Sequence, residues 1–352
     1  MEAINRGLEG VLVAETRISH IDGATGSLIL AGDPIAEVAA SGLTAAMSVL
    51  WEAAGRDDVP DDLPAALGAA RAVAWEALPA EVLGGRDGMA ALRAGLDLIE
   101  ADSPVEIMGA LAVCAAGWLR ARRGEAPLAP DPRLGHAEDL LAMAIGPVPQ
   151  QQVRAEALSV YLACVCEHGL NASTFTARAV ASTGASERAA VVAAIGALSG
   201  PLHGGAPGPV LDMLDAVENA AQAERWIASE LAASRRIMGM GHRVYRVRDP
   251  RAAVLEAASQ RLAEVGIGGE RLMLAAAVER AAAAQLAQHR PGRRLHANVE
   301  FATAVLLEAI GFSREGFAVL FACGRAAGWL AHTAEERRDG RLIRPRARYI
   351  GR

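Results

Sequence analysis

The sequence contains no lysine. All 35 positive side chains are arginine, which excludes an imine-forming amine and the lysine of a phosphate-binding P-loop. Any carbonyl chemistry here proceeds without a Schiff base. Aromatic residues are scarce too, at 4% of 352 residues, while 52% are hydrophobic and 22% charged. The apolar content is therefore mostly Ala, Leu, Val and Ile, which favours helices over strands and excludes a disordered chain. Cysteines are few: Cys114, Cys164, Cys166 and Cys323 each stand in an apolar run without the spacing of a metal cluster. They read as reduced core residues rather than a disulfide or zinc site. No long hydrophobic run is present either, since Ile107–Leu119 spans 13 residues against the roughly 20 of a membrane span. The start, MEAINRGLEG, lacks the basic and apolar regions of a signal peptide. A water-soluble, cytoplasmic protein with no membrane contact is expected. Net charge is −6 and no basic stripe stands out, which argues against nucleic acid as a partner and leaves small anionic ligands open.

What is present is helical periodicity. Pro34–Ala53, Asp61–Ala77, Gly88–Ala101, Pro104–Arg122, Gly135–Ile145 and Gln151–Glu167 carry apolar residues at i, i+3 and i+4, with Pro, Gly or Asp between them. The pattern resumes in Thr174–Ser182, Ser186–Leu198, Gly208–Glu218, Ala221–Arg235, Arg251–Val265, Arg271–His289, Val299–Ile310 and Arg314–Glu336. Near the start, Gly10–Arg17 and Ser27–Leu30 are β-compatible and flank the turn-rich Ile21–Gly26, so a small hairpin is expected. The fold class is all-α, without βαβ alternation. Two Gly- and Pro-rich breaks, Leu202–Pro209 and Pro291–Asn298, bracket a smaller helical unit inserted into a larger one.

Four of eight histidines lie beside helix breaks: His168 in CEHGLNAST, His203 in LSGPLHGGA, His242 in GMGHRVYRVRDPR and His296 in HANVEF. Taken singly, each reads as a surface or core histidine. Gly200, Pro201, Gly204 and Gly205 around His203 let backbone approach a ligand closely and fix the ring, so that it can donate to a carbonyl oxygen gaining charge. Gly239 and Gly241 precede His242, and Arg243, Arg246, Arg248 and Arg251 follow. Guanidinium forks in that density suit carboxylates or phosphates, or form a solvated basic helix start. Glu300, at the mouth of an apolar helix, is either an ordinary first-turn carboxylate or, in a dry cleft, a base. Arg341, Arg344, Arg346 and Arg348 form either a loose charged tail or a reach into a neighbouring subunit.

These segments together resemble the citrate synthase family. The likeness begins in GLEGVLVAETRISHIDGATGSL and continues through APDPRLGHAEDLL and EHGLNASTFTARAVAST. It is strongest in GALSGPLHGGA and RIMGMGHRVYRVRDPRA, and ends with NVEFATAVL, GRAAGWLAH and RLIRPRARYIG. The resemblance implies a two-domain helical fold: residues 1–206 with 303–352 as the large, dimerising domain, and 207–302 as a small domain that binds CoA and closes over substrate. It implies condensation of oxaloacetate with acetyl-CoA and hydrolysis of citryl-CoA, acetyl-CoA being a cosubstrate, with no other cofactor and no metal. By motif, His203 meets the acetyl carbonyl oxygen, His242 the ketone of oxaloacetate, and Glu300 is the base. His168, Arg251 and Arg325 hold oxaloacetate, joined by Arg344 across the homodimer interface. Gly239, Met240, Gly241 and Arg246 match the CoA-binding region. The family motif usually reads NVDF where this chain has NVEF; Phe301-Ala302-Thr303 also departs from it, and the Arg-Gly-Tyr that often precedes the first long helix is missing. The alternatives are 2-methylcitrate synthesis from propionyl-CoA and a non-catalytic dimer that binds CoA or dicarboxylate.

Overall fold

A computed structural model describes residues 5–8, 10–78, 83–84, 87–203, 208–242, 244–289 and 295–351. Gly204, Gly205, Arg243 and much of both expected breaks lie outside the described residues. The N-terminal hairpin forms with its second strand where expected and its first strand further along the chain than Gly10–Arg17. β1 (Ser19–Asp22) pairs antiparallel with β2 (Ser27–Leu30), and β3 (Asp33–Pro34) adds a short third strand. Gly10–Arg17 is not a strand. Leu12 is 96% exposed, and among the described residues no strand pairs with this run.

Fifteen α-helices follow among the described residues. They are α1 (Ile35–Ala40), α2 (Gly42–Ala53), α3 (Leu63–Ala77), α4 (Gly88–Ile99), α5 (Pro104–Arg122), α6 (His136–Ile145), α7 (Gln151–Val165), α8 (Ala172–Ala181) and α9 (Glu187–Leu198). The second series is α10 (Gly208–Val217), α11 (Ala223–Ala232), α12 (Pro250–Glu264), α13 (Gly269–His289), α14 (Val299–Ile310) and α15 (Phe317–Asp339). The all-α class expected from composition is what the chain forms. Helix ends fall where capping chemistry puts them: Ser103 and Glu106 form a reciprocal capping box with Pro104 at the first position of α5, and Gly311 ends α14 at φ 113°. The expected helix Pro34–Ala53 breaks in two at Gly42, whose φ is 81°. That of Arg314–Glu336 starts with a 3₁₀ turn over Arg314–Gly316.

Helix α15 runs through the core, packed on α2, α4, α5, α7, α8 and α9. Helix α5 is long and apolar enough to cross a membrane by length and composition. It is instead wrapped by α3, α4, α6 and α15, and its apolar surface is core surface. In the second series α11 packs on α13 and α10 on α14, while α12 joins α14 to α7. Helix α7 is thus touched from both series, and its C-terminal end delivers His168. Two glycines on α15 bring it against that end. A Cβ at Gly324 would lie 2.8 Å from the carbonyl oxygen of Leu162, and one at Gly328 would lie 2.3 Å from that of Cys166. Between them Arg325 is driven into the interior, 2% exposed, with Nε donating to the carbonyl of Val165 at 2.6 Å.

Candidate active site

The segment after α7 is tied down by a buried carboxylate. Glu167 Oε1 accepts from Ser19 Oγ of the hairpin at 2.8 Å and from the N–H of Gly169. His168 then faces the interior, its Nε2 3.0 Å from the Tyr245 hydroxyl. Burial, reinforced by Arg251 and Arg325, pushes its pKa well down, so the ring is neutral. Asn171 caps α8 with Oδ1 accepting from Ser173 and Thr174 N–H, which orients the backbone of Ser173 toward His203.

The Ser173 N–H points at His203 Nε2 at 3.1 Å, and Ser173 Oγ lies 2.8 Å from the same nitrogen. Trp329 Nε1 donates to that hydroxyl at 3.1 Å. A backbone N–H can only donate, so Nε2 is the acceptor and the hydrogen of the neutral ring sits on Nδ1. Burial, then Arg325, lowers the pKa of His203 and keeps it neutral. His242 is held in the opposite sense. Its Nδ1 accepts from the N–H groups of Val244 at 3.0 Å and Tyr245 at 3.2 Å, leaving the hydrogen on Nε2, 3.9 Å from Asp249 Oδ2. Burial and Arg251 lower its pKa, with Asp249 opposing. Two neutral imidazoles therefore stand ready as hydrogen-bond donors, one through Nδ1 and the other through Nε2.

Two glycines set the position of His242. Gly239 and Gly241 adopt φ of 72° and 82°, and a Cβ at Gly239 would meet Phe301 Cβ at 2.8 Å. Met240 bridges Ala297, Gly241 N–H donates to His296 O at 2.7 Å, and Asn298 N–H donates to Gly239 O at 2.9 Å. Asn298 also caps α14 through Oδ1 and donates Nδ2 to Gly241 O at 2.9 Å. This stapling brings the His242 loop beside Glu300 in the first turn of α14. Burial raises the Glu300 pKa, against the pull of Arg251 and Arg236. Arg251, 3% exposed, forks onto Asp249 with Nε at 3.0 Å and a terminal nitrogen at 2.8 Å.

His168, His242, Glu300, Arg251 and Arg325 are brought together: Arg251 acts on His168, His242 and Glu300, and Arg325 on His168 and His203. The run of arginines after His242 does not act as one cluster. Arg248 pairs with Glu256 and Glu279, Arg251 pairs with Asp249, and Arg246 points to solvent. Arg344 is exposed in the extended segment after α15. Sequence reasoning missed Asp249, Ser173 and Tyr245. Of these only Asp249 carried a signal, as the Asp-Pro that caps and opens α12.

The arrangement can polarise two carbonyl oxygens, accept a proton at a half-buried carboxylate, and hold a small dianion between two guanidinium groups. The whole chain is also similar to known proteins. The family model described as citrate synthase, C-terminal domain, matches residues 7–346. A "Putative citrate synthase 2" of Mycobacterium tuberculosis is 50% identical over 196 residues, 56% of this chain, a match spanning about half of that protein's length (51%). The citrate synthase of Haloferax volcanii is 35% identical over 379 residues, covering 99% of this chain and 96% of its own. A solved citrate synthase from Thermoplasma acidophilum, in ternary complex with carboxymethyl coenzyme A and oxaloacetate, superimposes with a TM-score of 0.83 at 25% identity over 100% of this chain and 97% of that one. Motif order, helical architecture and nearly full-length matches lead to one assignment: the chain belongs to the citrate synthase family.

Proposed function

We propose that this protein condenses oxaloacetate with acetyl-CoA and hydrolyses the resulting citryl-CoA to citrate and CoA. The carrying observation is the opposed pair of neutral histidines, His203 with its hydrogen on Nδ1 and His242 with its hydrogen on Nε2. A thioester methyl is too weak an acid to yield to a carboxylate in water. His203 donates to the thioester oxygen as charge grows there, while Glu300 takes the methyl proton. The enol carbon attacks the ketone of oxaloacetate, whose oxygen receives a hydrogen bond from His242. Arg251, Arg325 and His168 hold the two carboxylates and aim the ketone. Water then cleaves the thioester. Acetyl-CoA is a cosubstrate, bound along Gly239, Met240 and Gly241 with Arg246 toward its phosphates, and no metal or redox cofactor takes part. Residues 207–302 form the domain that closes, and residues 1–206 with 303–352 the larger one, so that closure excludes water until carbon–carbon bond formation is complete.

Thiol release measured with acetyl-CoA, with and without oxaloacetate, tests this reading, with citrate identified by mass spectrometry. Thiol release that depends on oxaloacetate is expected. Binding of both ligands with no thiol released overturns the enzyme in favour of a binding module, and a faster rate with propionyl-CoA transfers the reading to 2-methylcitrate synthesis.

We propose further that the active unit is a homodimer completed by Arg344 of the partner subunit. Leu12 at 96%, Tyr349 at 82% and Ile350 at 91% exposure put apolar surface on both terminal segments of a single chain, which a second copy would cover. Mixing chains carrying Arg344→Ala with chains carrying Glu300→Gln is expected to restore activity, because one site of each mixed dimer then has both groups intact. Failure to complement, with mixed dimers verified, removes Arg344 from the shared site.

A further inference from the structure

Tyr245 belongs to neither the arginines nor the histidines that the motifs single out, yet it bonds to two of the three histidines around the oxaloacetate site. Its backbone N–H donates to His242 Nδ1 at 3.2 Å, and its hydroxyl lies 3.0 Å from His168 Nε2. The phenol ring sits 4.7 Å from the His242 ring and 5.6 Å from the His168 ring, and the residue is 3% exposed. The loop carrying it is gripped from outside by the N-terminal hairpin. Arg246 N–H donates to Gly23 O at 2.7 Å. A Cβ at Gly23 would lie 2.3 Å from Val244 O, and one at Gly26 would lie 2.6 Å from Val247 Cγ2. The two turn glycines are what allow this approach, and the phenol is consequently fixed in place.

We propose that Tyr245 is the positioning residue for the oxaloacetate-binding histidine: its hydroxyl donates to His168 Nε2 and thereby keeps the His168 hydrogen on Nδ1. No hydrogen bond to a described residue uses that Nδ1, which makes it the nitrogen left to donate to a carboxylate. Burial raises the Tyr245 pKa, so the phenol keeps its proton and stays a donor through the neutral range. Without it, the neutral ring would divide between two tautomers, one of which turns a lone pair toward an incoming anion.

The proposal rests on oxaloacetate being the ligand, and the experiment separates the two failures. In Tyr245→Phe, which keeps the ring and removes the hydroxyl, KM for oxaloacetate is expected to rise about tenfold, with kcat and KM for acetyl-CoA changed less than about twofold. Nitrogen chemical shifts of ¹⁵N-histidine-labelled protein, with His168 assigned by difference from His168→Asn, read the tautomer directly and independently of turnover. The Nδ1–H form in the unsubstituted protein, lost in Tyr245→Phe, is the expected result. An Nε2–H tautomer in the unsubstituted protein, or an unchanged KM for oxaloacetate in an active Tyr245→Phe, overturns the proposal alone. A wild-type protein that does not turn over overturns the function instead.

Discussion

Replacing Glu300 with glutamine is expected to lower kcat by a factor of about 10²–10⁴, the span over which a positioned general base acts. The substitution is close to isosteric. Asn298 still caps α14 through the backbone N–H groups of residues 300 and 301, and the stapling of the Gly239–Gly241 loop does not involve the carboxylate, so the fold should hold. KM for oxaloacetate should stay level or fall. Glu300 lies within electrostatic reach of Arg251, and removing its negative charge leaves that guanidinium freer for a dianion. A loss of kcat without a rise in KM marks an interaction used in the transition state rather than in binding. If kcat stayed within tenfold of wild type, Glu300 would not be the base.

The same carboxylate sets the acid side of the pH profile. Burial raises the Glu300 pKa above its ordinary 4.5, and the base works only when ionised. Activity should therefore climb with pH through a midpoint above 4.5. His203 and His242 have their pKa values lowered from 6.5, so both are already neutral at neutral pH and need no deprotonation there. The family motif usually reads NVDF here, and Glu300 has one methylene more than that aspartate. Cutting it back in Glu300→Asp withdraws the basic oxygen by roughly 1.5 Å, one C–C bond, and a displacement of that order costs about a hundredfold.

Much of this was legible before any coordinates, and the reasons are local. Helices α5 and α14 have the bounds their punctuation announces, because Ser103-Pro104 and Asn298 are caps and Gly311 is a left-handed stop. His203, His242, Arg251 and Glu300 stood out because each sits at a helix break, where chemistry-bearing side chains gather. The hairpin's second strand, Ser27–Leu30, was legible, but its first was not, because Gly10–Arg17 carries strand-like residues that no strand among the described residues pairs with, and propensity alone cannot supply one. Ser173 and Tyr245 were invisible for a related reason. Each acts through a hydrogen bond to a histidine 30 or 77 positions away, and nothing in a serine at the start of a helix or a tyrosine in a basic loop encodes such a pairing. The basic run after His242 misled in the other direction: three-dimensional packing puts Asp249, Glu256 and Glu279 onto its arginines, so only part of that charge is available to a ligand.

His203→Ala should cost about 10²–10³ in kcat, the loss that follows from removing one preorganised donor to a developing oxyanion. Its scaffold should survive, because Ser173 N–H keeps its bond to Asn171 Oδ1 and Trp329 keeps its bond to the Ser173 hydroxyl. Binding of oxaloacetate should change little, since Arg251 and Arg325 are untouched. What separates this from generic damage is its coupling to Glu300. Proton removal by the carboxylate and charge stabilisation by the imidazole serve the same enolisation, so taking away the second gains nothing from having kept the first. The double variant His203→Ala/Glu300→Gln is expected to be no more than about tenfold slower than the slower single variant. If the two losses instead multiply in full, each residue lowers the barrier of a different step, and the shared enolisation at the acetyl group has to be given up.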